Sequence, residues 1–454
     1  MEVRNKKVFV AGLGLSGIAL CKVLIDLKAH VIAYDEKDYA FLKDNIAEIE
    51  SLPIEFKFGK FKRDTLKGVD LVVISPGVPV DSELVKEAQT LGIEVLGEVE
   101  FAYRFSKGPI YAITGTNGKT TTTSLLGEIF KNAGKNVYVA GNIGYPLIYV
   151  TTTATEKDAI VAEISSFQLE TVKEFRPKIS CIINITPDHL NRHKTFENYR
   201  DVKGRIFENQ GENEYTVLNY DDEVVLSLAK KAKCKVFPFS KKKILEEGAY
   251  VKDGSIYISF EGSLEKIIDV EDIYIPGEHN LENALAASSM AYIAGIDANT
   301  IAHTLKTFKG VEHRIEFVDE IEGIKFYNDS KGTNPDASIK AIQALKTPII
   351  LIAGGYDKGS EFDEFVKAFG EKVKKLILIG QTAKKIRDTA VKHSYLESNI
   401  IFANTLEEAV KKAYENAMRG DSVLLSPACA SWDMFKNFEE RGKVFKKAVA
   451  ELRR

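Results

Sequence analysis

The chain is poor in cysteine, with four in 454 residues, and poorer in tryptophan, with one. Cys21, Cys181, Cys234 and Cys429 are far apart and form no C-x-x-C pair. They read as reduced, mostly buried small hydrophobes and not as a disulfide or zinc framework. No apolar run reaches the ~18 residues that a membrane span needs, so no membrane partner is expected. Charge is not one-sided: 62 Lys and Arg stand against 65 Asp and Glu, a formal net charge of −3. Without a global basic field, nucleic acid is not an expected partner. Low-complexity segments and short-period repeats are missing. The first residues, MEVRNKKVFVAGLGLSG, enter a strand-like stretch at once and carry no secretory pattern, so a cytoplasmic location is expected.

What is present suits full hydrophobic cores. Hydrophobic residues are 44% and charged residues 28% of the chain, and the length fits two to four domains of roughly 100–200 residues. Short apolar runs alternate with helical stretches. KVFVAGLG, VIAYD, VDLVVISPG and IEVLGE open the chain; PIYAITG, NVYVAGN, DAIVAEIS and KISCIINI follow; PIILIAGG, KLILIGQ, NIIFAN and SVLLSPA close it. This pattern predicts parallel sheets covered by helices. The fold class is therefore α/β, in three consecutive domains at 1–107, 108–310 and 311–454: Rossmann-like, P-loop ATPase-like and Rossmann-like. YVKDGSIYISF (250–260) predicts a hairpin, and 279–295 an amphipathic helix.

The run YAITGTNGKTTTTSLLG (111–127) has strand, loop, Gly-Lys-Thr and helix in order. The usual phosphate loop has its first glycine five residues before the Gly-Lys-Thr glycine. Here that place is Ile113, and the first glycine is Gly115. The bland alternative is a Gly/Thr-rich turn with a surface lysine. The order of elements favours a phosphate site, where helix N-terminal amides face an anion, Lys119 neutralises phosphate oxygens and Thr120 reaches Mg²⁺.

Gly12, Gly14 and Gly17 follow the first strand in G-x-G-x-x-G order, and Asp35 closes the next strand. This fits a dinucleotide fingerprint. The same turn can hold any diphosphate, or can simply pack a helix close to a strand. The turn ISPGVP (74–79) ends another strand of that sheet, so both turns can grip one phosphate-bearing molecule.

In the middle stretch, Glu163 ends a strand before two serines, INITPDHLNRH carries Asp188, His189 and His193, and Lys203 lies on a predicted helix. Glutamate, histidine and the loop threonine can together ligate Mg²⁺. The bland readings are a surface histidine and a helix-capping glutamate. In the last stretch, YNDSKGTNPDAS, AGGYDKGSEF and SPACASWDMFKNFEERG sit at strand ends. They suit a small polar substrate, or are ordinary turns with Asp and Ser caps.

TGTNGKTT, GNIGYP, ISSFQLE, TPDHL, PGEHNLENALAA, HRIE, NDSKGTN and SPACASWDMFKNFEERG together resemble the Mur ligases of bacterial cell-wall synthesis, across all three domains. SSFQLE and SPACASWDMF resemble the branch that adds D-glutamate. The resemblance implies an ATP- and Mg²⁺-dependent ligase, acting as a monomer on UDP-N-acetylmuramoyl-L-alanine and D-glutamate. It implies that Gly115, Thr116, Asn117, Gly118, Lys119, Thr120 and Thr121 cradle the ATP phosphates. Thr120 and Glu163 would hold one Mg²⁺; Glu163, His189 and a carbamylated Lys203 would hold a second. Asn280, Arg314 and Asp329 would contact the nucleotide, with Lys331 near its phosphates. Leu15, Ser16, Asp35, Ser75, Gly77 and Asn142 would line the UDP-sugar path. Thr333, Lys358, Ser431 and Phe438 would receive D-glutamate. Gly332 stands where the family often has alanine and is expected to loosen its loop.

The implied reaction passes through an acyl phosphate, with domain closure on hinges near 108 and 310. Three other readings stay open: a folylpolyglutamate-type or other amino-acid ligase, a nicotinamide-dependent dehydrogenase built on 1–107, and a catalytically dead binding protein.

Overall fold

The structure, a computed structural model, describes residues 2–453. Three sheets follow one another along the chain. The first holds β1 (Lys7–Ala11), β2 (His30–Asp35), β3 (Ile54–Phe58), β4 (Leu71–Ile74) and β5 (Glu94–Gly97), all parallel, in the order β3-β2-β1-β4-β5. The inner strands β1, β2 and β4 are apolar on both faces because helices cover both. Val8 and Val10 of β1 enter one hydrophobic cluster, Phe9 and Ala11 the other.

The second sheet holds β6 (Ile110–Thr114), β7 (Val137–Gly141), β8 (Ala159–Glu163), β9 (Ile179–Ile182), β10 (Tyr215–Asn219), β11 (Lys235–Ser240), β12 (Gly248–Lys252), β13 (Ser255–Phe260) and β14 (Ser263–Asp269). Their order is β14-β13-β12-β11-β10-β9-β6-β8-β7. The expected hairpin is present: β12 and β13 pair antiparallel across Asp253-Gly254, and β14 adds a further antiparallel strand. A helix spans Glu278–Ile293 where one is predicted, but it is not amphipathic: every residue from Asn283 to Ala291 is buried, so the core covers it all round.

The third sheet holds β15 (Glu316–Ile321), β16 (Ile324–Asn328), β17 (Ile349–Ala353), β18 (Val373–Leu378), β19 (Ile400–Phe402) and β20 (Ser422–Leu425), in the order β15-β16-β20-β17-β18-β19. Ile349, Leu351 and Ala353 feed one cluster, and Ile350 and Ile352 the other.

By its contacts the chain forms two compact units. One is Met1–Glu271 with Glu282–Leu305; the other is Asp272–Leu281 with Lys306–Arg454. The first two sheets therefore share a unit, and no division falls at 108, where a hinge is expected from the sequence. The physical reason is local. Glu100, fully buried, accepts the backbone N–H groups of Lys173, Glu174 and Phe175 at 2.8, 3.0 and 3.0 Å. One apolar cluster also runs through both sheets, from Val8 and Leu96 to Ala112 and Ile160. No helix among the described residues is long and apolar enough to cross a membrane.

Candidate active site

The strand order places two sets of loops at switch points. β1 lies between β2 and β4, and β6 between β9 and β8. Crevices at the carboxyl ends of such strands are where ligands bind in parallel sheets.

β6 runs into the loop Gly115–Gly118, and the helix Lys119–Asn132 follows. Gly118 caps that helix with φ +84°, a conformation that disfavours any L side chain. A Cβ there would also meet Asn283 Oδ1 at 2.2 Å, and Thr122 Oγ1 donates to the same oxygen at 3.2 Å. The loop is tied from outside: Asn117 N donates to Asn184 Oδ1 at 2.8 Å, and Thr186 N to Thr116 Oγ1 at 3.0 Å. Lys119 folds back over it, its Nζ 2.9 Å from the carbonyls of both Gly115 and Thr116.

β8 delivers Glu163 beside this loop, since β8 pairs with β6. Its carboxylate is buried; Oε1 accepts Asn142 Nδ2 at 2.7 Å, and Oε2 has no hydrogen-bond partner. A buried, half-satisfied carboxylate is costly unless a cation or donor completes it.

Lys203 is buried on the helix Phe196–Gly204, its Nζ 2.8 Å from Gly115 O and over the Tyr199 ring at 4.7 Å. Burial, and then the nearby Lys119 charge, push its pKa well below the usual lysine value; Asp188 and Glu163 oppose the shift. His189 adopts φ +52°, stands half-exposed, and packs on Phe167 with ring centres 4.9 Å apart. No group of three or more His, Cys, Asp or Glu side chains gathers as a metal cage among the described residues. The site thus brings the phosphate loop, Glu163 with Asn142, and Lys203 together.

On the first sheet, Gly17 packs so close that a Cβ would lie 1.9 Å from Gly12 O. Ser75 Oγ donates to that same carbonyl at 2.7 Å, joining the two turns. Asp35 is engaged with the backbone: its oxygens accept the N–H groups of Leu13 and Lys37 at 2.8 and 3.0 Å. Leu15 and Gly77 are exposed, and Ser16 half-buried, at the same edge.

In the second unit, the three quoted loops leave β16, β17 and β20, which are neighbours. Asp329 is fully buried and pushed up to about 6 by burial, with Arg314 Nη1 3.6 Å away. Gly332 does not loosen its loop. It is buried, its N–H reaches Asp329 O at 2.8 Å, and a Cβ would lie 2.5 Å from Asp329 Oδ2. Asn280 donates to Pro276 O at 2.6 Å, and Thr333 N to Lys331 O at 2.9 Å. Lys331 Nζ lies 5.7 Å from the Phe438 ring, and Lys358 Nζ 4.6 Å from the Trp432 ring. Ser431 is buried.

The sequence reading missed Arg441. Buried, it donates to Ser330 Oγ and O and to the carbonyls of Cys429 and Ala430, at 2.7 to 3.2 Å. It binds NDSKGTN to SPACASW, and a lone arginine among the glutamates of KNFEERG was the available signal. Arg192, His193 and Asn283 were likewise assigned no role.

Family models match in series: "Mur ligase MurD-like, N-terminal domain" at residues 6–97, "Mur ligase middle domain" at 113–291, and "Mur ligase, glutamate ligase domain" at 313–429. The UDP-N-acetylmuramoylalanine–D-glutamate ligase of Thermoanaerobacter sp. (strain X514) is 80% identical over 454 residues, all of both chains. The chain belongs to the Mur ligase family. A like-named enzyme of Caldanaerobacter subterraneus subsp. tengcongensis is 72% identical over the same length, and one of Alkaliphilus oremlandii 53% over 456 residues. Two solved Mur ligases share the fold. UDP-N-acetylmuramate-alanine ligase MurC of Thermotoga maritima has a TM-score of 0.62 at 20% identity, covering 98% of this chain and 99% of that one. MurF ligase of the same organism, in complex with ADP, has a TM-score of 0.59 at 20% identity, covering 99% and 96%.

Proposed function

We propose that the chain joins D-glutamate to UDP-N-acetylmuramoyl-L-alanine with ATP, as a cytoplasmic monomer in peptidoglycan precursor synthesis. Residues 1–107 serve the UDP-linked acceptor, 108–310 the nucleotide and 311–454 the amino acid. The substrates follow from full-length relatives of that name at 80% identity. The observation that carries the chemistry is Glu163, buried at the end of β8 with one oxygen on Asn142 and the other unpartnered, next to the phosphate loop.

The unpartnered Glu163 Oε2 suits a cation as ligand. Thr120 and Glu163 would hold one Mg²⁺, and Glu163, His189 and a carbamylated Lys203 a second. Such ions neutralise phosphate charge and favour oxygen ligands. Carbamylation suits Lys203. Its depressed pKa favours the neutral amine, which attacks CO₂; a C–N bond forms, a proton leaves to water, and an anionic oxygen ligand replaces an ammonium.

The loop amides and Lys119 hold the ATP phosphates, Lys119 leaving the Gly115 and Thr116 carbonyls to do so. Asn280, Arg314 and Asp329 hold the nucleotide, with Lys331 toward its phosphates. The first-sheet turns, with Leu15, Ser16, Asp35, Ser75, Gly77 and Asn142, deliver the alanyl carboxylate. One of its oxygens attacks the γ-phosphorus and the bond to ADP breaks. D-Glutamate, held by Thr333, Lys358, Ser431 and Phe438, attacks the acyl carbon through its deprotonated amine, and phosphate leaves. The protein's task is to position groups and neutralise charge.

The test is phosphate release from ATP and product mass with the acceptor fixed and a panel of amino acids. Release and a new amide only with D-glutamate are expected. Release without dependence on acceptor or amino acid would overturn the reading.

A further inference from the structure

Arg192 has no place in the scheme above, yet it touches both ends of it. It lies one turn after His189, and its guanidinium is held by Glu170: Nε donates to Oε1 and Oε2 at 3.2 and 3.1 Å, and Nη2 to Oε2 at 2.6 Å. Both side chains are largely buried, at 16% and 9% exposure. The rest of the fork reaches into the first sheet's edge. Nη1 donates to Gly77 O at 3.3 Å and Nη2 to Val78 O at 3.1 Å. The guanidinium carbon stacks 4.6 Å from the Phe167 ring, the ring that also packs on His189. His193 completes the cluster, with Nε2 3.0 Å from Ser166 Oγ and Nδ1 3.5 Å from Glu170 Oε1.

The contacted turn is ISPGVP. Proline fixes φ at Pro76 and Pro79, which leaves Gly77 as its loose joint. A Cβ at Gly77 would meet nothing within 4 Å, so its neighbours do not restrain it by packing. The arginine fork, taking two successive carbonyls, removes that freedom. Ser75 of the same turn bonds Gly12 O, so the restraint passes to the other acceptor-side turn. Stability alone does not require this contact, because Glu100 and a continuous apolar cluster already join the two sheets.

We propose that Arg192, oriented by Glu170, is a positioning residue that pre-orders the Gly77–Val78 turn for the UDP-linked acceptor and sets it against the segment bearing His189. The inference rests on the acceptor reading given above. Ordering a binding loop before the ligand arrives removes that cost from binding. Lysine is a point charge and cannot span a carboxylate and two carbonyls.

The experiment varies each substrate in turn for wild type, Arg192→Lys and Glu170→Gln, with calorimetric binding of the acceptor alone and a denaturation curve for each protein. Arg192→Lys should raise the acceptor KM and Kd together by about tenfold. The KM values for ATP and D-glutamate should stay within about twofold, with the denaturation midpoint near wild type. Glu170→Gln, which keeps the shape and weakens the grip, should move the acceptor values the same way by less. It carries the test if the lysine variant does not fold. Unchanged acceptor binding in both variants, or a parallel loss for all three substrates with a fallen midpoint, overturns the proposal. Wild type that forms no amide from this acceptor overturns instead the functional reading, and this inference with it.

Discussion

Lys119 and Lys203 converge on a single oxygen, each donating from Nζ to the carbonyl of Gly115, at 2.9 and 2.8 Å. Two ammonium groups on one carbonyl repel each other, and the buried one yields first. Burial, and then Lys119, depress Lys203, so the geometry prepares this buried lysine to become neutral.

A neutral Lys203 should take up CO₂. Protein equilibrated with ¹³C-bicarbonate should show a carbamate carbon resonance that is lost in Lys203→Gln. That variant should lose roughly two orders of magnitude in kcat, the scale for removing one electrostatic stabiliser. No resonance in wild type, with full activity in bicarbonate-free buffer, would sink the assignment.

Gly118 tests the loop. Gly118→Ala introduces a Cβ at φ +84° and against Asn283. The left-handed conformation alone costs about 1–2 kcal/mol. The KM for ATP should rise at least about tenfold, with acceptor binding unaltered in calorimetry. An ATP KM equal to wild type would contradict the cradle.

Lys358 sits over the face of Trp432, the chain's one tryptophan. Tryptophan emission therefore reports on this loop alone. D-Glutamate should change the emission of wild type by drawing the ammonium off the ring, a contact worth about 0.5–1 kcal/mol. In Lys358→Ala the response should vanish, and the KM for D-glutamate should rise by about tenfold or more against at most twofold for ATP. Equal effects on the two KM values would refute the assignment.

Glu98 gives a pH signature of folding. Burial pushes its carboxyl up to about 7, while hydrogen bonding from Ile148 N works the other way. The folded state therefore keeps a proton that the unfolded chain releases near the ordinary carboxylate value. This contribution to stability falls as pH rises from about 4.5 to about 7, then levels off. Glu98→Gln should match wild type at pH 4 and exceed it at pH 8 by on the order of 3 kcal/mol, read from urea unfolding. An advantage largest in acid would exclude this account.

Strands buried on both faces are readable because they are unbroken apolar runs; Ile349–Ala353 is one. β3, IEFKF, and the pair β15–β16 escaped the reading. They lie at sheet edges or next to them and mix polar with apolar residues, so their pairing is legible only once a neighbouring strand is in place. The phosphate loop is contiguous, and so Gly115 to Thr121 could be named from the sequence. Arg192 meets Gly77 across 115 residues, and Arg441 meets Ser330 across 111. Such pairings leave no local pattern. The quoted loops of the last domain were legible as strand ends, but not the arginine that laces two of them together.

The three amide hydrogens on Glu100 have a geometrical consequence. Sliding the first sheet along the second would break all three together and leave the buried Glu100 carboxylate without these donors. The span from the Gly12 and Gly77 turns to the phosphate loop is thereby set when the chain folds. On the proposed function, the pair of sheets would work as a gauge: an acceptor whose carboxylate stands one residue too far from its diphosphate would overshoot the γ-phosphorus, and one too short would not reach it.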